Sequence, residues 1–425
     1  MITRKTAAIG LAGVMALATA ACSSGSTGSV KSGATLEIAV FSPFSGTNAD
    51  YGFFEYAGCP PAVNLINAAG GVLGHKLTCT IVDNRGEPAD AVPAAQKMLA
   101  TSHNLVAIID GDSGLLSSTV PLFERAKITD VSAGGDVEFG QSKYKYFWRT
   151  IPGDDVSGYA LAAWAKKQGW TNIAAVFAND QAAQGNVPGL LAGAKNLGIT
   201  VSVNQAIAPN QTSYASEIQK LVAAHPQAIM MEADPQTGGV YVGQLKQAGG
   251  LVPIVGSSGT TGVDWNKAVT AAIGASDFAK YFKILTIYAE PSGPAWETYN
   301  KALLASGSQV KDPAQYATQI YSEVPYDNVN MIALAMLAAK STSPAVYNPF
   351  IKTVVEGGDV VVHNFADGKA TLAAGKKIKY VGVTGAVVFD QYQNSPGTFA
   401  ASIPGDGDKV AGVLTPAQVE AAQAK

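Results

Sequence analysis

Four histidines, His75, His103, His225 and His363, are where acid–base chemistry would be sought in this chain, and none stands beside a plausible nucleophile. His75 falls in a turn, and His225 precedes Pro226 at a helix end. No Gly-x-Ser-x-Gly elbow follows a strand and opens a helix. Gly239 and Gly243 lack the spacing of a dinucleotide-binding turn. The acidic residues could pair as in a glycosidase, but no spacing among them demands it. Away from the N-terminus the chain has two cysteines, Cys59 and Cys79; with four scattered histidines these make no ligand cluster, so neither metal nor cofactor is expected. The polar residues gather instead in turns that follow apolar runs, as in Asp110-Gly111-Asp112-Ser113-Gly114 and Ser132-Ala133-Gly134-Gly135-Asp136. Hydroxyls and backbone N–H groups in such turns suit non-covalent capture of a ligand.

The elements that hold those turns alternate. Residues 35–41, 77–82, 105–109 and 128–132 read as strands, with helices between them over a segment ending at Gly70-Gly71, over 88–100 and over 120–126. Pro60 and Pro61 are expected in the first turn of the first helix, because deeper they would break it. The rhythm restarts after Ile151-Pro152, with helices at 156–168, 186–197, 214–224 and 239–248 and strands at 173–177, 200–205, 228–231 and 253–256. Strands alternating with helices predict parallel sheets covered on both faces, and two such series predict two doubly wound lobes. Ligands in such sheets bind beyond the carboxyl ends of the strands. The last third is mixed: strands at 284–289, 360–363 and 385–390, helices at 296–305 and 329–340, and a helical tail from 416 to 425.

The chain has 425 residues, 47% apolar and 14% charged, with a net charge of -3. That length suits two domains, and the charge leaves no footprint for nucleic acid. The N-terminus has a basic start, an apolar run over 7–21, and then Cys22 before a Ser/Gly-rich stretch. These are the parts of an export signal. Ala20-Ala21-Cys22 resembles the lipobox of bacterial lipoproteins, with Thr19 where leucine is usual. It implies that Cys22 is lipidated, that residues 1–22 are a signal peptide and that 23–34 are a flexible tether; an ordinary secretory signal is the alternative. An exported chain meets oxidising conditions, so Cys59 and Cys79 are expected to be bridged, two buried thiols being the alternative.

The turn Phe41-Ser42-Pro43-Phe44-Ser45-Gly46, then Gly52, and the helix closing with Ile66-Asn67-Ala68-Ala69-Gly70-Gly71 form an ordered set. It continues through Asp83-Asn84-Arg85-Gly86-Glu87-Pro88, Phe147-Trp148-Arg149-Thr150-Ile151-Pro152, Ala178-Asn179-Asp180 and Tyr326-Asp327. The set resembles the type I periplasmic solute-binding proteins of the leucine/isoleucine/valine-binding group, which serve ABC importers. The resemblance covers about residues 35–390. It implies an α/β fold of two Rossmann-like doubly wound lobes joined by three crossovers, near Ile151, near 281–289 and near 381–387. Lobe one would take 35–150 plus about 290–380, and lobe two 151–289 plus about 381–425.

Pocket residues follow from the resemblance one at a time. Ser113 and Gly114 match the turn that offers a hydroxyl and amides to a ligand carboxylate. Gly135 and Asp136 follow on the next turn; Asp136 would repel a carboxylate, accept an amine or hydroxyl, or cap the segment after it. The aromatic side chains usual after Asn179-Asp180 and before Pro235 are missing, and Ser258 stands where an acidic residue often holds an α-amino group. A polar pocket of Asp180, Gln184, Asp234, Ser258 and Gly259 remains, with Tyr51 as a lining ring and Asp327 from the Tyr326-Asp327 pair. The implied function is delivery of a small polar ligand, a branched-chain amino acid or related amide or organic acid, to ABC permease and ATPase subunits. The protein would be an exported monomer, anchored by lipid to the outer face of the cytoplasmic membrane or periplasmic, and not an enzyme. A sensing lipoprotein without transport, or an exported hydrolase, are the alternatives.

Overall fold

A computed structural model describes residues 33–46, 49–403 and 409–424. The expected signal segment, Cys22 and nearly all of the tether lie outside the described residues. The chain begins β1 (Leu36–Ser42), α1 (Ala49–Ala68), β2 (Leu77–Asp83), α2 (Pro88–Thr101), β3 (Leu105–Asp110), α3 (Leu116–Ala126), β4 (Thr129–Ser132) and β5 (Phe147–Arg149). These strands form one parallel sheet in the order β2-β1-β3-β4-β5. The short edge strand β5 carries no readable alternation, and the sequence did not show it.

A second series follows: α4 (Asp154–Lys167), β6 (Asn172–Ala178), α5 (Gln181–Asn196), β7 (Thr200–Ile207), α6 (Ala215–Ala223), β8 (Ala228–Glu232), α7 (Pro235–Gln247), β9 (Ile254–Gly256), α8 (Val263–Ile273), α9 (Ala275–Tyr281) and β10 (Phe282–Ile287). Next come α10 (Gly293–Leu304), α11 (Ile320–Ala339), α12 (Pro344–Tyr347), α13 (Phe350–Glu356), β11 (Val360–Val362), α14 (Phe365–Ala373), β12 (Ile378–Gly382) and β13 (Gly385–Ala386). The chain ends with β14 (Phe399–Ile403), β15 (Lys409–Leu414) and α15 (Pro416–Gln423). The second sheet has the order β15-β14-β10-β9-β8-β6-β7; its pairs are parallel from β10 to β7, and β14 and β15 are antiparallel. The runs at 399–403 and 409–414 add this hairpin, which the sequence reading missed.

Two buried cores account for the two sheets. The first joins Leu36, Val40 and Ile109 to Tyr299, Tyr326, Ile332 and Tyr380, so helices α10 to α14 return to the first sheet. The second joins Val176, Met230, Trp164 and Trp265 to Phe399 and Leu414. Val383, Val387 and Phe389 pack in the first core, so the chain stays there beyond the expected change near 381, and Phe399 is in the second. Only Gly385–Ala386 of the expected strand 385–390 is extended in a sheet.

Pro60 and Pro61 lie deep inside the twenty-residue α1, not in its first turn. Two helical hydrogen bonds are lost there, since proline has no N–H. Tertiary packing holds the helix instead. At Gly58 a Cβ would lie 2.0 Å from the Ser322 carbonyl of α11, and the Ser322 hydroxyl donates to the Phe54 carbonyl at 2.8 Å. Only glycine lets the two backbones approach so closely. Immediately beside the prolines, Cys59 is bridged to Cys79, which ties α1 to β2. Helix α11 likewise runs through Pro325, starts nine residues before the expected Val329, and is buried over most of its length.

Candidate functional site

The carboxyl ends of both sheets face a shared cleft. From the first side come Pro43 after β1, Tyr51 on α1, Gly111, Asp112 and Ser113 after β3, and Ala133 after β4. From the second come Asp154 at the start of α4, Asp180, Ala182 and Ala183 around the start of α5, Glu232 at the end of β8 with Ala233 and Asp234 after it, and Ser258 and Gly259 after β9. Ile151 and Tyr321 complete the lining. The cavity, partly open to the outside, is about 130 Å³, against roughly 10–15 Å³ for a single water. Side chains bridge the cleft. The Tyr51 hydroxyl donates to the Ser258 carbonyl at 2.9 Å, and the Gln181 amide donates to Asp136 Oδ2 at 2.8 Å. The Tyr51 and Tyr321 rings meet edge to face with centroids 5.7 Å apart.

Of the residues expected at the pocket, Tyr51, Ser113, Asp180, Asp234, Ser258 and Gly259 line the cavity. Asp180 and Asp234 do so as helix caps: Asp180 Oδ1 accepts from the Ala183 N–H, and Asp234 Oδ1 from the N–H groups of Gln236 and Thr237. Five expected residues are not on the lining. The Gly114 N–H is taken by Asp112 Oδ1 at 3.1 Å, and the Gly135 N–H by Ser113 Oγ at 2.7 Å. Asp136 caps the short 3-10 turn after it and receives Gln181. Gln184 turns back to the Ala178 carbonyl at 2.9 Å. Asp327 sits inside α11 in the first core, where Tyr380, Val383 and Thr384 all donate to it. It ties α11 to the chain after β12 and does not reach the cleft.

The sequence reading missed Asp154, Glu232 and Tyr321, and gave Asp112 no role. Asp154 and Glu232 each follow directly on a strand or crossover turn, which was the available signal. Asp154 is 8% exposed and its Oδ2 has no hydrogen-bond partner. Burial pushes its carboxyl well above the usual range, and the nearby Glu232 adds to this. Asp112 is pushed up to about 7 by burial, opposed by the Gly114 N–H and helped by Glu87 and Asp180; its Oδ2 is also without a partner. Glu232 is likewise raised to about 7 by burial, although the Ser257 hydroxyl and the Asn186 amide both donate to it. A basic group close by is Arg149, behind the lining. Its Nη1 donates to the Asp136 carbonyl at 2.8 Å, and its charge falls on Asp154, Asp155, Asp136 and Asp390.

Two doubly wound lobes that share a polar cavity define a type I solute-binding protein, which encloses its ligand between lobes. The chain belongs to the periplasmic binding protein family, whose model matches residues 35–398. This is a family of solute-binding proteins, not of enzymes. A leucine-, isoleucine-, valine-, threonine- and alanine-binding protein of Pseudomonas aeruginosa is 27% identical over 245 residues, 56% of this chain; the alignment spans only 64% of that relative. An amino acid binding protein of the same organism is 23% identical over 80% of this chain and 88% of its own. Among solved structures, the branched-chain amino acid transporter substrate binding protein LivJ of Streptococcus pneumoniae, in complex with isoleucine, has a TM-score of 0.70 at 19% identity. It covers 90% of this chain and 100% of its own. A solute binding protein from R. palustris in complex with benzoate has a TM-score of 0.68 at 16% identity, over 89% of this chain and 96% of its own. At such identities the structures share the fold with this chain.

Proposed function

We propose that this protein captures a small polar solute outside the cytoplasm and presents it, in a closed two-lobed form, to the permease of an ABC importer. The observation that carries this reading is the cavity of about 130 Å³ lined from both lobes. A solute that touches both walls favours the closed arrangement by its extra contacts there, and a membrane partner can read that arrangement. The residues proposed to contact solute are Tyr51, Asp112, Ser113, Asp154, Asp180, Glu232, Asp234, Ser258, Gly259 and Tyr321. Cys22 is proposed as a lipidated anchor that holds a monomer beside its transporter.

Calorimetric titration of the mature protein against amino acids, amides, amines, aromatic acids and polyols tests the binding claim. At least one solute class should bind with a 1:1 ratio and raise Tm. If no class does so, solute capture is wrong. Loss of uptake of that solute in a deletion strain tests the transport partner and separates importer from sensor. Incorporation of labelled lipid, abolished in Cys22→Ala, tests the anchor.

A further inference from the structure

The relatives' names speak of amino acids, yet the wall of this cleft opposes a free carboxylate. Five acidic residues line it, Asp112, Asp154, Asp180, Glu232 and Asp234, and no lysine, arginine or histidine among the described residues is on the lining. The Ser113 hydroxyl, the group expected to hold a ligand carboxylate, follows Asp112 in the chain, is already engaged with Asp154 and accepts the Gly135 N–H. A carboxylate placed there would meet two acidic side chains in a poorly hydrated site, and the repulsion between like charges grows as those side chains ionise, Asp112 at about pH 7. Arg149 offsets them only in part. It is 3% exposed and stands outside the lining, and its charge is shared among four carboxylates, Asp154, Asp155, Asp136 and Asp390.

A second observation points to what is missing. Asp154 is more than nine-tenths buried, lines the cavity, and has an oxygen with no partner. Asp112, on the opposite lobe, also has an unpartnered oxygen. A buried acceptor without a donor is costly, and a ligand N–H would satisfy it. The acidic groups interact in pairs: Asp112 with Asp180 across the cleft, and Asp154 with Glu232. The edge-to-face rings of Tyr51 and Tyr321 supply an apolar, π-rich wall of the kind that suits an alkylammonium group. No set of three or more acidic, histidine or cysteine residues among the described ones is arranged to hold a metal ion. The donors therefore suit an extended organic cation better than a point charge.

Resting on the solute-binding reading above, we infer that the solute of this cleft is a small organic amine or diamine without a free carboxylate, its ammonium groups taken by Asp154 and Asp112. Asp112 comes from one lobe and Asp154 from the other, so a diamine that engages both would favour the closed arrangement. Leucine would gain one ammonium contact and lose it again to its carboxylate.

The mature protein is titrated with 1,4-diaminobutane, butylamine, leucine, butyrate and calcium chloride, with heat and Tm as readouts. Diaminobutane should bind tightest, butylamine more weakly, and leucine, butyrate and calcium should leave Tm unchanged. In Asp154→Asn, diaminobutane affinity should fall by about 30-fold or more, as expected for removing one buried charge partner. Asp112→Asn, in a turn where the change is structurally mild, should give a loss in the same direction. Binding of leucine or butyrate in preference to the amines overturns the amine inference while leaving solute capture intact. A response to calcium alone, no response to the amines, or unchanged diaminobutane affinity in both variants also overturns it. Failure of the broad solute panel is the separate result that removes solute capture itself.

Discussion

At the scale of single residues, the cleft stores protons. Asp112 and Glu232 are held up to about 7 by burial, with Asp180 facing both and Glu87 also facing Asp112. Behind them Asp110 is raised to about 7, and Glu55 and Asp130 well above their ordinary range, again by burial. Their ordinary values are 3.8 for aspartate and 4.5 for glutamate. The folded chain therefore binds more protons than the unfolded one between about pH 4 and pH 7, so stability falls as pH rises through that window. The ligand-free protein should show a lower Tm at pH 8 than at pH 5. Amine affinity should run the other way, rising over the same range as the carboxyls ionise. A Tm that climbs from pH 5 to pH 8 would contradict this assignment. Asp327 provides the contrast. It is equally buried but fully engaged, with Tyr380, Val383 and Thr384 donating to it at 2.7–3.0 Å. Asp327→Ala strands those donors and should cost about 2–4 kcal/mol in urea unfolding, with solute affinity per folded molecule unchanged. The difference between Asp327 and Asp154 could not be read from residue type. Both follow turn-like or family-like motifs, and only the completed packing shows which one has its donors.

At the scale of elements, α1 is held by its surroundings more than by its sequence. Its two internal prolines remove hydrogen bonds, and the close approach to α11 at Gly58 and the link to β2 compensate. Local reasoning placed these prolines at the helix start because local cost was all it could weigh. The strands β1 to β4 and β6 to β9 were legible, since short apolar runs bounded by turn residues have few other uses. The hairpin β14–β15 and strand β5 were not, because their short runs carry no alternation that distinguishes them from loops. The Cys59–Cys79 bridge closes a separation of 20 residues, worth about 3 kcal/mol if it acts on the unfolded chain. Thiol titration of the unfolded, unreduced mature protein should find neither cysteine free. The double variant Cys59→Ser/Cys79→Ser should unfold at lower urea by roughly that amount.

At the scale of the whole molecule, the contacts that close the cleft include Tyr51 to Ser258 and Gln181 to Asp136. A solute that binds the closed form benefits from whatever fraction is already closed. Gln181→Ala removes one bridge without touching the cavity lining, and should weaken solute binding roughly 2- to 10-fold, the usual worth of one such hydrogen bond. Small-angle scattering should show a larger radius for the ligand-free variant than for the ligand-free parent. Equal radii and equal affinities would mean the bridge does not set the equilibrium. By itself the sequence determined the alternation of strands and helices, and with it the two doubly wound lobes and the turns where ligand groups must lie. Those features follow from local periodicity and from glycine and proline punctuation, which any stretch of chain carries with it. Only the tertiary structure decided that Asp154, Glu232 and Asp112 face one cavity, that Gln184 and Asp327 turn away from it, and that the chain stays in the first core past Phe389. Those outcomes depend on side chains hundreds of residues apart meeting across a cleft, and on which buried polar atoms find partners there, and neither is written in the spacing of any one segment.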